Sequence, residues 1–171
     1  MLVVMTGLPG TGKSAIADAV ARALPAPVFS VDPLEAALLR SGINREQNSG
    51  IAAYEVAADL ARSQLQLGQS AIVDAVNAWE SLRRWYLELA EPVGAPAGLI
   101  ETICSDPRLH RELLETRDRG IEGWIYEPSW GDVELRMLEY EPSDIERLVL
   151  DAVEPLEENR RAAVEYVTAR R

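Results

Sequence analysis

The sequence contains very little lysine, cysteine and histidine, and each shortage argues against a particular kind of motif, bond or site. Lys13 is the only lysine among the 171 residues, so nearly all positive charge is carried by arginine. Cys104 is the only cysteine, which excludes an internal disulfide bond and fits a reducing compartment such as the cytoplasm. His110 is the only histidine and has no second ligand beside it in the sequence, so we do not expect it to hold a metal ion.

Positive charge and long apolar runs are also scarce. The net charge of −11 argues against duplex nucleic acid or an anionic membrane as the main partner. No apolar run reaches the length of a membrane span, and the first residues lack the basic region of a signal peptide. We therefore expect a cytoplasmic protein that forms one domain over residues 1–171.

Short apolar runs alternate with helical patterns along the chain. This alternation predicts an α/β fold, with a parallel sheet covered by helices on both faces. Asp32 and Pro33 are expected to open the second helix, with Asp32 as its N-cap. Strands are predicted at 2–5, 28–31, 71–73, 99–103 and 148–150. Helices are predicted at 13–24, 33–40, 46–67 and 79–89. Three further helices are predicted, of which one begins at residue 107, one ends at about residue 140 and one begins at residue 155.

The segment "GLPGTGKS", residues 7–14, matches the Walker A pattern G-x-x-x-x-G-K-[S/T] between a strand and an amphipathic helix. Its glycines allow the backbone amides to surround a phosphate, and the helix directs its positive end toward the same point. Lys13 is expected to span the β- and γ-phosphates of ATP, and the Ser14 hydroxyl to ligate Mg²⁺. The predicted nucleotide contacts of this P-loop are Gly7, Leu8, Pro9, Gly10, Thr11, Gly12, Lys13, Ser14 and Ala15.

The rest of the sequence narrows the class of P-loop protein. An Asn-Lys-x-Asp guanine-binding motif is excluded because the only lysine lies in the P-loop. The third strand ends in Asp74-Ala75 rather than in the Asp-Glu pair of large ring ATPases. The class of P-loop protein that remains is a compact, kinase-like one with a helical lid.

Five segments together resemble the small AAA-type P-loop kinases, which are related to chloramphenicol phosphotransferase, gluconate kinase, zeta-type kinases and the kinase domain of polynucleotide kinase. The resemblance implies a five-stranded sheet in the order 2-3-1-4-5 and a lid segment at about residues 106–131. It also implies ATP-dependent phosphoryl transfer to a hydroxyl group of a small molecule or of a nucleic-acid end. The segments are "GLPGTGKSAIADAVARAL", "FSVDPLEAAL", "SAIVDAVN", "ETICSDPRLHRELLETRDRG" and "LVLDAVEPLEEN".

Two aspartates at strand ends are candidates for the chemistry. In the chloramphenicol phosphotransferase-like pattern, the residue matching Asp32 takes the proton of the acceptor hydroxyl; the alternative is a helix N-cap. Asp74 stands at the position of a Walker B aspartate and is expected to bind Mg²⁺ directly or through water. The alternative for Asp74 is a carboxylate that caps the following turn.

Arginines of the lid segment are candidates for neutralising the transferred phosphoryl group. The resemblance favours Arg117 as catalytic and nucleotide-binding, Arg111 as nucleotide-binding, and Arg119 and Arg108 less strongly. The alternative is a solvated helix in which these arginines pair with Glu112 and Glu115, which contributes little to stability.

The acceptor pocket is the part of the proposed site that the sequence defines least. Arg45, Tyr54 and Asn77 are its candidate contacts, although Arg45 and Tyr54 could equally lie on the surface and Asn77 could cap the fourth helix. Trp124, Tyr126 and Trp130 could stack on a flat acceptor or form a small separate core.

The sequence thus predicts a transferase that phosphorylates a small-molecule alcohol with ATP and Mg²⁺. A nucleoside, nucleotide or polynucleotide 5′-hydroxyl kinase, an antibiotic-resistance kinase and a non-catalytic ATP-binding regulatory module remain as alternatives.

Overall fold

The computed structural model describes residues 1–171 and contains one five-stranded sheet with seven α-helices. All strands are parallel, in the order β2-β3-β1-β4-β5, which confirms the predicted topology of a P-loop NTPase fold. The strands are β1 (Leu2–Thr6), β2 (Val28–Ser30), β3 (Ala71–Asp74), β4 (Ala97–Ile103) and β5 (Arg147–Asp151). The helices are α1 (Lys13–Ala23), α2 (Val31–Arg40), α3 (Ser49–Gln66), α4 (Glu80–Glu88), α5 (Pro107–Thr116), α6 (Trp130–Glu139) and α7 (Leu156–Thr168).

Two apolar cores lie on the two faces of the sheet, because successive side chains of a strand point to opposite faces. Leu2 and Val4 of β1 pack with α3 and α4 on one face, and Val3 and Met5 pack with α1 and α7 on the other. Every residue of β1 is buried, as expected for the central strand of a sheet that is covered on both faces. No helix is both long enough and apolar enough to cross a membrane.

The carboxyl ends of the parallel strands meet at one edge of the sheet, where ligands bind in such folds. The P-loop follows β1 at this edge, α2 follows β2, and Asp74 ends β3. The sheet therefore brings together residues that are far apart in the sequence.

The start of α2 differs from the prediction. The helix begins at Val31, and Ser30 rather than Asp32 occupies the N-cap position. Asp32 lies inside the first turn, so the predicted N-cap role is wrong. Pro33 is tolerated there because the amide groups of a first helical turn have no partner within the helix.

The predicted helix at 46–67 is divided in two. A short 3₁₀ turn, Arg45–Gln47, is closed by reciprocal hydrogen bonds between Asn44 and Gln47. Asn48 then takes a left-handed conformation with φ of 61°, and α3 starts after it. The helical periodicity of the apolar residues did not reveal this break, because it depends on local side chain to backbone hydrogen bonds.

Asn77 does not cap α4, so that prediction is also wrong. Trp79 occupies the N-cap position, and the Glu141 carboxylate accepts a hydrogen bond of 2.7 Å from the Glu80 amide. Asn77 has a φ of 46° and is turned toward the sheet. The cap of α4 thus comes from a residue that lies 61 positions away in the chain.

Candidate active site

The P-loop requires its glycines for steric reasons. Gly7, Gly10 and Gly12 have φ values of 136°, 89° and 87°, a region that favours glycine. A Cβ atom on Gly7 would lie 2.2 Å from the carbonyl oxygen of Thr102, and one on Gly10 would lie 3.1 Å from the Cβ of Leu114. Any side chain at Gly7 would therefore displace the loop from β4.

Helix α5 packs against the P-loop. The Nε2 atom of His110 lies 2.8 Å from the carbonyl oxygen of Pro9, and burial lowers the pKa of His110. The hydroxyl groups of Thr11 and Thr102 form a further hydrogen bond of 2.7 Å beneath the loop. Sequence reasoning missed this support, because His110 and Pro9 are 101 residues apart and no local pattern connects them.

Lys13 is held close to the loop in this structure. Its Nζ atom donates a hydrogen bond of 2.8 Å to the carbonyl oxygen of Leu8. Burial lowers the pKa of Lys13 to about 8, although Asp74 and Asp32 act in the opposite direction. A bound polyphosphate would replace the carbonyl as the partner of the ammonium group.

Asp74 and Ser14 form the part of the site that fits Mg²⁺. One carboxylate oxygen of Asp74 accepts hydrogen bonds from Ser14 at 2.8 Å and from Ser30 at 3.0 Å. The other oxygen, Oδ1, is buried and has no hydrogen-bond partner in the protein. A buried carboxylate oxygen without a partner beside a serine hydroxyl provides the hard oxygen ligands that Mg²⁺ prefers.

Asp32 faces the lid segment across the cavity. Arg119 donates a hydrogen bond to the Asp32 carboxylate, and the two form an ion pair. Arg117 pairs with Glu127 at 2.9 Å, and the pKa of Arg117 is lowered by burial and by the neighbouring Arg119. Both arginine side chains are less than one-fifth exposed. Two guanidinium groups thus converge near the P-loop and Asp32.

Arg111 is not brought into the site. Its side chain is 58% exposed and pairs with Glu115 at 2.7 Å, one helical turn away. It does not line the cavity, and Arg108 is also on the surface. These positions match the alternative of a solvated helix face, and the predicted nucleotide contact of Arg111 has no support in the geometry.

A single cavity of 1540 Å³ joins these groups. The P-loop, Asp74, the residues after β5, Asp32 and the lid segment all border it. Tyr54 also lines the cavity, and burial raises its pKa to about 12. The predicted residues in the lining are Pro9, Gly10, Thr11, Gly12, Lys13, Ser14, Ala15, Asp32, Arg45, Tyr54, Asp74 and Arg117.

Arg45 links the cavity wall to the aromatic loop. Its guanidinium pairs with the buried Glu35 at 2.9 Å and stacks over the ring of Tyr126, 3.6 Å from the centroid. Trp124 packs edge-on against Tyr126 and also lines the cavity, whereas Trp130 packs against His110. The aromatic residues therefore divide between the cavity lining and a separate packing contact.

Asn77 lies beneath the cavity and does not line it. It is completely buried, and its Nδ2 atom donates a hydrogen bond of 2.7 Å to the carbonyl oxygen of Met5. The fully buried Arg83 donates to the carbonyl oxygens of Asn77 and Glu141, at 3.0 and 2.6 Å. Arg83 was not recognised from the sequence, because it lies next to the exposed Arg84 and looks like a surface residue.

Comparisons with known proteins agree with this geometry. The family model described as an AAA domain matches residues 2–120. A comparison with curated protein sequences finds no match. The chain is similar to the solved structure of a proposed kinase from Chloroflexus aurantiacus, with 23% identity, a TM-score of 0.78 and coverage of 99% of this chain and 97% of that one.

Two further structures show the same fold. A gluconokinase from Sinorhizobium meliloti is 18% identical with a TM-score of 0.71, and the match covers 98% of this chain and 91% of that one. Kti12 from Chaetomium thermophilum, solved with ADP-AlF3, is 16% identical with a TM-score of 0.74, and the match covers 99% and 98%. The chain, with its P-loop, parallel sheet and matched family model, belongs to the AAA domain family.

Proposed function

We propose that this protein is an ATP-dependent phosphotransferase whose acceptor is the hydroxyl group of a small molecule. The observation that carries the proposal is the common cavity of Lys13, Asp32, Asp74 and the lid arginine Arg117. Two neighbours of the same fold are a gluconokinase and a protein solved with ADP-AlF3, which supports nucleotide binding and kinase chemistry.

The proposed roles follow from position and charge. The P-loop amides and Lys13 bind the phosphates of ATP, and Ser14 and Asp74 would hold Mg²⁺. When bound, the metal ion neutralises negative charge on the phosphates. Arg117 and Arg119 carry positive charge to the region where the transferred phosphoryl group would lie.

Asp32 orients the acceptor and receives its proton. The acceptor oxygen forms a bond to the γ-phosphorus, the bond from that phosphorus to the bridging oxygen of ADP breaks, and the hydroxyl proton passes to the carboxylate of Asp32. The Asp32 carboxylate accepts a hydrogen bond from Arg119 in the structure. The acceptor hydroxyl must therefore share or replace that contact.

The direct test is ADP release from ATP and Mg²⁺ with a panel of alcohols that includes sugars, sugar acids, amino alcohols, antibiotics, nucleosides and an oligonucleotide with a free 5′-hydroxyl. Asp32→Asn is compared with the wild type, and Asp18→Asn, an exposed residue of α1 outside the cavity, is the matched control. We expect one compound to stimulate release in the wild type and in Asp18→Asn, and Asp32→Asn to lose that stimulation while it still binds ATP.

Other outcomes favour the alternatives. Stimulation only by nucleosides or the oligonucleotide would identify a 5′-hydroxyl kinase. Tight ATP binding with equal, unstimulated ADP release from all three proteins would contradict the proposed role of Asp32 and favour a regulatory ATP-binding module.

A further inference from the structure

Part of the cavity lining is apolar and is supplied by four separate segments. Ile51 of α3, Trp79 before α4, Ile125 of the lid segment and Leu135 of α6 all line it, and each is more than half exposed to solvent. Scattered exposed apolar residues are ordinary in proteins, whereas their convergence on one cavity marks a binding surface. The acceptor is therefore expected to carry an apolar body.

The same cavity has an excess of negative charge. Nine carboxylate residues and five basic residues line it. Three of the basic side chains form ion pairs, Arg45 with Glu35, Arg117 with Glu127 and Arg119 with Asp32, and the charges of Lys13 and Arg136 act on the nearby carboxylates of Asp74 and Asp132.

The four other carboxylates of the lining form no ion pair, and two of them lie one helical turn from an apolar residue of the lining. Asp118 accepts a hydrogen bond from the Gly120 amide, and Glu154 follows β5. Glu55 lies four residues after Ile51 on α3, and Glu139 lies four residues after Leu135 on α6, so each carboxylate shares a helix face with an apolar residue of the lining. Glu55 and Glu139 are exposed on the cavity wall and form no ion pair, so their charges are free to attract a cation that enters the cavity.

We propose that the acceptor is an alcohol with an apolar, preferably aromatic, body and a protonated amine, a specification that rests on the kinase function proposed above. The side chains of Ile51, Trp79, Ile125 and Leu135 cover the body, and Glu55 and Glu139 attract the ammonium group. An acceptor that carries a carboxylate, sulfate or phosphate is disfavoured, because it would add negative charge to an already negative wall.

The test is a binding measurement with three probes that share a phenyl ring and a benzylic hydroxyl group. Phenylethanolamine carries an ammonium group at pH about 7, phenyl ethylene glycol is neutral, and mandelate is an anion. Trp79, Trp85 and Trp124 line the cavity, so their fluorescence reports occupancy. We expect phenylethanolamine to bind about tenfold more tightly than the glycol, and mandelate to bind more weakly than either.

A matched pair of double variants isolates the two carboxylates. Glu55→Gln with Glu139→Gln removes the charges inside the cavity, and Glu91→Gln with Glu165→Gln removes two exposed charges outside it. The cavity variant is expected to bind phenylethanolamine about tenfold more weakly and to keep its affinity for the glycol, whereas the control variant keeps both.

Three results would overturn the proposal: mandelate binding as tightly as the amine, no binding of any probe at millimolar concentration, or equal behaviour of the two double variants. None of these depends on turnover, so the kinase function would stand. Binding in the expected order by a protein that transfers no phosphate to any alcohol would instead contradict the kinase function and leave the charge preference of the cavity intact.

Discussion

Arg119 donates a hydrogen bond to the carboxylate of Asp32, and this ion pair joins two residues 87 positions apart. It ties the lid segment to the first turn of α2, and both residues line the cavity. The proposed base and a proposed phosphoryl ligand are therefore in direct contact. A substrate that enters the site must engage groups already ordered by their mutual contact.

The tie between Arg119 and Asp32 is expected to restrain the lid segment. Arg119→Ala and Asp32→Ala should each increase amide hydrogen exchange in residues 118–126 several-fold, because either change removes the same contact. The double variant should exchange no faster than the single ones. Arg111→Ala, whose side chain pairs only with Glu115 on α5, is the control, and exchange equal to wild type in Arg119→Ala would contradict the restraint.

Arg117 and Arg111 are expected to differ in their contribution to turnover. Arg117→Ala should lower the rate of ATP turnover at least about tenfold, because it removes a positive charge at the transferred phosphoryl group. Arg111→Ala should stay within about twofold of wild type, since an exposed ion pair contributes little. Steady-state ADP release measures both, and an equal loss in the two variants would contradict the assignment of Arg117.

The affinity for ATP is expected to fall as the pH rises through about 8. Lys13 titrates near this value in the ligand-free protein, and only its protonated form attracts the phosphates. Binding should therefore take up protons above this pH, which calorimetry in buffers of different ionisation enthalpy measures. The Lys13→Met variant should bind ATP more weakly and lose this pH dependence.

Lys13 is expected to make the free energy of unfolding rise with pH, whereas the affinity for ATP falls with pH. The folded pKa of about 8 lies below the ordinary value of 10.5, so between these values the unfolded chain binds more protons than the folded one. The free energy of unfolding should rise with pH through this window relative to Lys13→Met. If the free energy of unfolding had the same pH dependence in the wild type and in Lys13→Met, the lowered pKa of Lys13 would be contradicted.

Arg83 and Arg84 form a natural pair of variant and control, because they are neighbours with opposite environments. Arg83→Met is expected to lower the free energy of unfolding by about 3 kcal/mol, since it leaves several buried carbonyl groups without donors. Arg84→Met should cost less than about 1 kcal/mol, because its ion pairs are exposed. Denaturant unfolding measures both, and similar losses would contradict the structural role of Arg83.

The sequence predicted the parallel sheet and the P-loop, because these depend on local apolar runs and on a motif with fixed spacing, and the order of the strands followed from the resemblance to the small P-loop kinases. It also offered Asp32, Asp74 and Arg117 as candidate site residues, and the fold brings all three to one cavity, while their roles stay predictions. Features that depend on long-range contacts were not visible, and the helix cap expected from Asn77 is supplied by Glu141 instead. The burial of Arg83 and the contact of His110 with the P-loop also depend on residues that are far apart in the sequence.

The contact between α5 and the P-loop also determines which part of the lid segment can move. His110 and Leu114 pack directly against Pro9 and Gly10, so we expect α5 and the phosphate-binding loop to move together. A hinge at the start of α5 would break this packing, whereas Arg117, at the C-cap with extended backbone, lies beyond it. We therefore expect the loop after α5, rather than α5 itself, to move when an acceptor enters or leaves, so that the phosphate-binding loop keeps its shape.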